Sequence, residues 1–302
     1  MANVLSTPKR VAIISALCEG ASIRSTSRMV DVSKDTVLKL MVDLGEACIR
    51  HMDATMRDLP CKRLQVDEIW GFCYSKQKNV PPEKAGQFGF GDIWAFTAID
   101  ADTKLMPSFL VGLRDAGCAH EFMQDLASRL AGRVQLTTDG LKAYLTAVED
   151  AFGGDIDYAQ LVKIYGAAPE GPEVRYSPAE CIGAEKHAVA GCPDPLHIST
   201  SYIERSNLTL RMGMRRYTRL TNAHSKKVRN HIAGLGLFLC FYNFCRIHRT
   251  LRVTPCMAAG VTSRVWSVED LLGLLPPVAE GKKRGPYTKR ASSEPAADQI
   301  SK

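Results

Sequence analysis

The ten cysteines never fall as Cys-x-x-Cys. Their scatter argues against a disulfide framework or a dithiol redox motif and for reduced thiols. No charged-then-apolar leader opens the chain, so a cytoplasmic location is expected. The longest apolar run, "IAGLGLFLCF" at 232–241, is about half a membrane span, so it reads as a buried helix and no membrane partner is expected. There is no internal repeat. Acids are nearly absent from 198–252, where eleven Lys and Arg face one carboxylate, Glu204. That stretch carries +10 while the whole chain carries +7, so the rest is net negative. Solvated helix faces usually mix signs; charge this concentrated points to a polyanion, nucleic acid first.

What is present is ordinary for a globular protein: 302 residues, 45% hydrophobic and 24% charged, enough for two or three domains. Residues 9–20 and 23–30 predict two short helices. After a turn at "DVS", apolar Val37, Leu38, Met41, Val42 and Leu44 predict a third helix, with Ser33 as its N-cap. This is a helix-turn-helix pattern over 1–52, shared with three-helix bundles that have no DNA role. Lys34, Thr36 and Lys39, at the start of the last helix, are the residues that would meet DNA.

A polar hinge at 53–61 is expected to end this module. Strands are predicted at 62–74, 92–100, 105–112, 133–138 and 156–166, with helices at 119–131 and 141–151. That order argues for an α/β domain with a mixed sheet across 62–252. The Gly/Pro-rich stretch 167–196 reads as a loop-like insertion. It holds Cys181, His187 and Cys192, with His197 just beyond, at spacings unlike the common zinc fingers. Basic helices are predicted at 201–216 and 225–248. A C-terminal helical extension follows at 253–275, and 276–302 reads as a disordered basic tail.

Three acids stand out. Asp67 lies inside the apolar strand "LQVDEIW", where aspartate is disfavoured; the alternative is an edge strand with solvated charge. Alternation sends Asp67 and Glu68 to opposite faces, so only one is expected at a given site, and Asp67 shares its face with Gln65 and Ile69. Asp139 follows a strand and precedes a helix, a position suited to an Asp-Gly turn, a helix cap or a ligand site. Glu204 completes a capping box, "SYIE", with Ser201. Asn207, Leu208, Arg211 and Arg215 continue from Glu204 along one helix face. Arg216, Lys226 and Lys227 add to the DNA-facing charge. Carboxylates that converge repel each other unless divalent cations lie between them, so Mg²⁺ is expected, as two ions. Spacing alone does not select these three acids.

"VDEIWGF" at 66–72, "TDGLKAY" at 138–144 and "IERSNLTLR" at 203–211, in that order, resemble the DDE transposases of bacterial insertion sequences, closest to the insertion-sequence-one family. "YNFCRIHRTL" at 242–251 resembles a C-terminal signature of that superfamily. The resemblance covers most of 20–252. It implies an RNase H-like fold with one acid on the first strand, one after the fourth and one on a later helix: Asp67, Asp139 and Glu204, as catalytic and metal-binding residues. It also implies Mg²⁺ or Mn²⁺ as the metal and a nucleoid-associated bacterial location. The partners would be double-stranded terminal inverted repeats and target DNA, and the protein a homodimer or larger oligomer, since two DNA ends must be paired. Asn207 and Arg211 would support the metal site and the DNA backbone. The chain departs from the best-known members in starting almost directly at the helices, without a Cys-rich finger, and in carrying 167–196. Two other readings stay open: a transposase-derived DNA-binding regulator without catalysis, and a nuclease of the same fold.

Overall fold

The computed structural model describes residues 5–166, 179–218 and 221–277. Three helices lead: α1 (Thr7–Cys18), α2 (Ile23–Val30) and α3 (Lys34–Thr55). Ser33 caps α3 as expected, its hydroxyl accepting from the Thr36 amide at 3.2 Å.

The expected hinge at 53–61 is not a hinge. Helix α3 runs to Thr55, and Met56, Leu59 and Cys61 are buried in the same apolar core as the sheet. Burying three apolar side chains ties the segment down, a gain that a solvated linker would forgo. Leu59 also pairs its backbone with Arg129 and Ala131. Helix α3 packs against α7 (Val228–Phe244) at van der Waals contact of the backbones. A Cβ on Gly45 would lie 2.0 Å from the Ala233 carbonyl oxygen, and one on Gly236 would lie 2.3 Å from Ile49. The leading helices and the apolar run at 232–241 thus form one layer, and that run is the buried helix its composition predicts. No helix among the described residues is long and apolar enough to cross a membrane.

The sheet has six strands in the order β3-β2-β1-β4-β5-β6: β1 (Arg63–Cys73), β2 (Gly91–Asp100), β3 (Phe109–Gly112), β4 (Val134–Thr138), β5 (Ile156–Tyr165) and β6 (Cys181–Ala190). Strands β1, β2 and β3 form an antiparallel meander, β4 joins β1 in parallel, β5 joins β4 in parallel, and β6 closes the edge antiparallel to β5. This is the mixed sheet anticipated from the sequence. Helices α4 (Ala116–Ala127) and α5 (Ala143–Phe152) pack together against it.

Strand β6 is a correction, because 181–190 falls inside the segment read as an insertion loop. It went unseen because it is an edge strand with mostly exposed side chains on both faces, so no apolar alternation marks it. Residues 167–178 of that segment lie outside the described residues, as do 278–302 of the tail expected at 276–302. Within the expected extension, α8 (Pro255–Ala258) and α9 (Val268–Leu272) form, and Cys256, Leu271 and Leu272 join the core.

Candidate active site

The parallel ladder between β1 and β4 ends at Gln65↔Thr137. Beyond it the pairing of the two strands stops, with Asp67 on β1 and Asp139 just after β4 on either side of the gap. Asp139 makes the turn its Asp-Gly sequence suggests, accepting from the Leu141 amide at 3.0 Å. The same turn aims its carboxylate at the gap, so the turn and ligand readings of Asp139 coincide.

Helix α6 (Ser201–Gly213) is attached to this gap from β1. Gln65 is buried, and its Oε1 accepts from the Tyr202 and Ile203 amides at 2.8 and 3.1 Å. A strand side chain therefore satisfies the first-turn donors that a helix cannot satisfy itself. The expected capping box does not form. The N-cap is Thr200, whose hydroxyl donates to Glu204 Oε1, and the Ser201 hydroxyl accepts from Ser199 Oγ instead of capping a first-turn amide. Because Gln65 takes the first-turn amides, the Glu204 carboxylate is left to face the cleft.

Asp67, Asp139 and Glu204 all line one cleft of about 610 Å³. They are not equivalent in it. Asp67, Asp139 and, unexpectedly, Glu68 bring carboxylate oxygens within 4.8 Å of one another. Glu204 instead pairs with Lys163 of β5 at 2.6 Å. The expectation that only one of Asp67 and Glu68 serves the site is corrected here. Alternation separates their Cβ atoms, yet carboxylate oxygens of both come within 4.8 Å of one of Asp139. Glu68 is buried, accepts from the Tyr144 hydroxyl, and meets Arg114 at 3.1 Å. Arg114 also reaches Asp139 at 3.5 Å and lies 4.9 Å over the Trp94 ring. Glu68, Arg114, Tyr144 and Lys163 were missed in the sequence; only the adjacency of Glu68 to Asp67 hinted at any of them.

Burial is the main force on Asp67 and Glu68. It pushes Asp67 up to about 6, with the neighbouring Asp139 adding to the effect, and Glu68 up to about 7, again with Asp139 behind it. Asn207 of α6 donates to Asp67 Oδ2 at 2.8 Å, and its own Oδ1 is buried without a partner. An all-oxygen cluster of crowded carboxylates beside an orphaned amide oxygen fits a hard divalent cation. Asp67, Asp139 and Glu68 would hold it.

The other residues picked from the sequence scatter. Lys34, Thr36 and Lys39 are exposed on α3, with Lys39 paired to Asp43 at 2.5 Å. Helix α6 stops at Gly213, where a Cβ would lie 2.5 Å from the Phe238 ring, so Arg215 and Arg216 leave the face begun by Glu204. Arg211 remains on the helix and is half-buried. Arg215, Lys226 and Lys227 are exposed. Arg216 is a correction: its chain turns inward, and Nε donates to Ser225 Oγ at 2.8 Å. Of the four residues Cys181, His187, Cys192 and His197, His187 pairs with Glu185, and His197 with Asp194 and Arg63. Among the described residues, Asp67, Glu68 and Asp139 are the group whose ligand atoms converge.

No family model and no curated protein matches the chain. Solved structures similar to it include the Mos1 mariner paired end complex with Mn, at 14% identity and a TM-score of 0.23 over 52% of this chain and 61% of that one. The piggyBac transposase synaptic complex with hairpin DNA matches at 11% identity and a TM-score of 0.36, over 89% and 70%. A pre-cleavage Mos1 transpososome matches at 12% identity and a TM-score of 0.20, over 52% and 61%. The chain thus spans about three fifths of the Mos1 chains it matches.

Proposed function

We propose that this chain is a DDE transposase of an insertion sequence, with an RNase H-like core, that cleaves DNA at the element's ends and joins the 3′-OH ends to target DNA. The observation that carries this reading is the meeting of an acid from β1, an acid after β4 and an acid on α6 at one cleft. That is the placement implied by the three motifs that hold Asp67, Asp139 and Glu204.

In this reading Asp67 and Asp139 are the central metal-binding pair, Glu68 stands beside them, and Glu204 enters from α6. Bound Mg²⁺ or Mn²⁺ would activate the attacking oxygen and stabilise the leaving one. Asn207 holds the Asp67 carboxylate in orientation through its 2.8 Å bond. Arg114, anchored by Glu68 and Trp94, keeps positive charge at the cleft wall where a phosphate would approach. The exposed Lys34, Lys39, Arg215, Lys226 and Lys227 would hold duplex backbone, with Arg211 on α6 nearer the acids. Pairing two ends calls for at least two copies of the chain.

The test is cleavage and joining of DNA carrying the element's ends in Mg²⁺ or Mn²⁺. Asp67→Asn and Asp139→Asn should abolish both while DNA affinity stays. Wild-type cutting in either variant, with binding intact, overturns the assignment. A second reading, a DNA-binding regulator without catalysis, is favoured by one observation: Lys163 on Glu204 and Arg114 on Glu68 and Asp139 already compensate the acids without metal. It requires DNA affinity that EDTA leaves unchanged and no cutting at any metal concentration. Nicked but unjoined product would instead indicate a nuclease.

A further inference from the structure

A second cavity, also about 610 Å³, opens between α1, α2, α3, α7 and the segment after α6. None of its lining residues is acidic, while Arg24, Arg215, Arg216 and Lys226 all contribute. Its floor is apolar, formed by Leu38 and the buried Met41, Leu237 and Phe238.

Arg216 is the unusual group. Its guanidinium is tucked against α7, bonded to Ser225 Oγ at 2.8 Å and touching Met41 Sδ at 2.9 Å. Among the described residues no carboxylate pairs with it, and burial pulls it down to about 10. Arg216 is half-buried, and a cation drawn out of water without an anion is costly, so that a protein normally supplies the counter-charge itself. Gly234 makes room for it: a Cβ there would lie 2.5 Å from Arg216 Nη1. Glycine in the middle of a helix is unfavourable relative to alanine, so the space has a use beyond the helix. A second unsatisfied group lines the same cavity. His224 is stacked on Phe72 at 4.7 Å, and its Nδ1 is buried without a hydrogen-bond partner.

We propose that this cavity binds a nucleoside 5′-phosphate, with the phosphate at Arg216 and the base over Met41, Leu237 and Phe238. The planar fork of arginine suits a phosphate, and the cations at the mouth, Arg24, Arg215 and Lys226, draw an anion inward. The apolar floor selects against inorganic phosphate, which would leave it covered only by water. The ligand is either a free nucleotide or the unpaired end of a DNA strand, since both present the same group. The site stands apart from the acids and rests on no property of them.

The test is calorimetric titration of the full chain in EDTA with a deoxynucleoside 5′-monophosphate, the matching nucleoside and inorganic phosphate. The monophosphate should bind one to one and at least about tenfold more tightly than either fragment. Arg216→Gln should lower that affinity at least about tenfold. Gly234→Ala, which keeps the charge but displaces it, should do the same and serves if Arg216→Gln does not fold. Asp67→Asn should bind as the wild type, so loss of DNA cutting and loss of this site are read separately. Displacement of the nucleotide by a 5′-phosphorylated single strand assigns the site to a DNA end; no displacement assigns it to the free nucleotide. Absence of nucleotide binding, equal binding of inorganic phosphate, or wild-type affinity in both variants overturns the proposal.

Discussion

Glu68 and Asp139 share one guanidinium: Arg114 Nη2 lies 3.1 Å from a Glu68 oxygen and 3.5 Å from an Asp139 oxygen. Arg114 therefore stands where carboxylate repulsion must otherwise be relieved by metal. Arg114→Ala should lower the melting temperature in EDTA, and Mg²⁺ or Mn²⁺ should restore more stability to the variant than to the wild type. Thermal melts with and without metal read both effects. Equal metal-induced shifts would show that Arg114 does not compensate the cluster.

The raised acids make a pH prediction with a definite sign. Asp67 and Glu68 titrate at about 6 and about 7 when folded, against about 4 in an unfolded chain. The folded state then binds more protons, so their contribution is most favourable below about pH 4 and is lost as pH rises towards about 7. In EDTA, Asp67→Asn should lose less stability than the wild type across that window, by urea denaturation at several pH values. Metal binding at about pH 6 should also release protons, visible as buffer-dependent binding heats, and this release should fade by about pH 8.

Gln65 holds the start of α6. Gln65→Leu removes the acceptor of two first-turn amides, that of Ile203 buried and that of Tyr202 partly so, and should cost about 1–3 kcal/mol, measured by urea unfolding. Glu204 would lose its placement at the same time, so strand transfer should fall more than DNA affinity does. A variant of unchanged stability would mean that water replaces the side chain without cost.

Contact between α3 and α7 depends on having no side chain at Gly45. Gly45→Ala sets a Cβ against the Ala233 backbone, which cannot swing aside as a side chain does. Destabilisation of about 1–3 kcal/mol or more is expected from the overpacking, despite the better helix propensity of alanine. A more stable Gly45→Ala protein would rule out the close approach.

Exposed Arg215 gives the simplest test of the basic surface. Arg215→Ala should weaken binding to all DNA sequences alike and flatten the salt dependence by about one unit of slope. Loss at one sequence alone would assign it to base contact instead.

Much of the arrangement was readable along the chain. Apolar periodicity marks α3, because burial of one face imposes a period on the residues that form it, and α1, α2 and the strands β1, β2, β4 and β5 fall where the sequence predicts them. The three acidic motifs picked out Asp67 and Asp139, which meet, and Glu204, which reaches the same cleft. Strand β6 was hidden because neither of its faces is deeply buried. The inward turn of Arg216 was hidden because helical spacing was extended past Gly213, where α6 ends and Met214 turns extended.

Local pattern thus settles most of the segments that become helix or strand, the exposed edge strand β6 excepted, and which acids lie near strand and helix ends. It does not settle what a side chain meets across the molecule. Gln65 displaced the capping box, Glu68 joined Asp139 past the end of the ladder, and Lys163 claimed Glu204, each through a contact between residues far apart in sequence. Such partners are chosen by burial and charge in the folded core, where an unpaired polar group is too costly to leave, and no rule of spacing along the chain contains that choice.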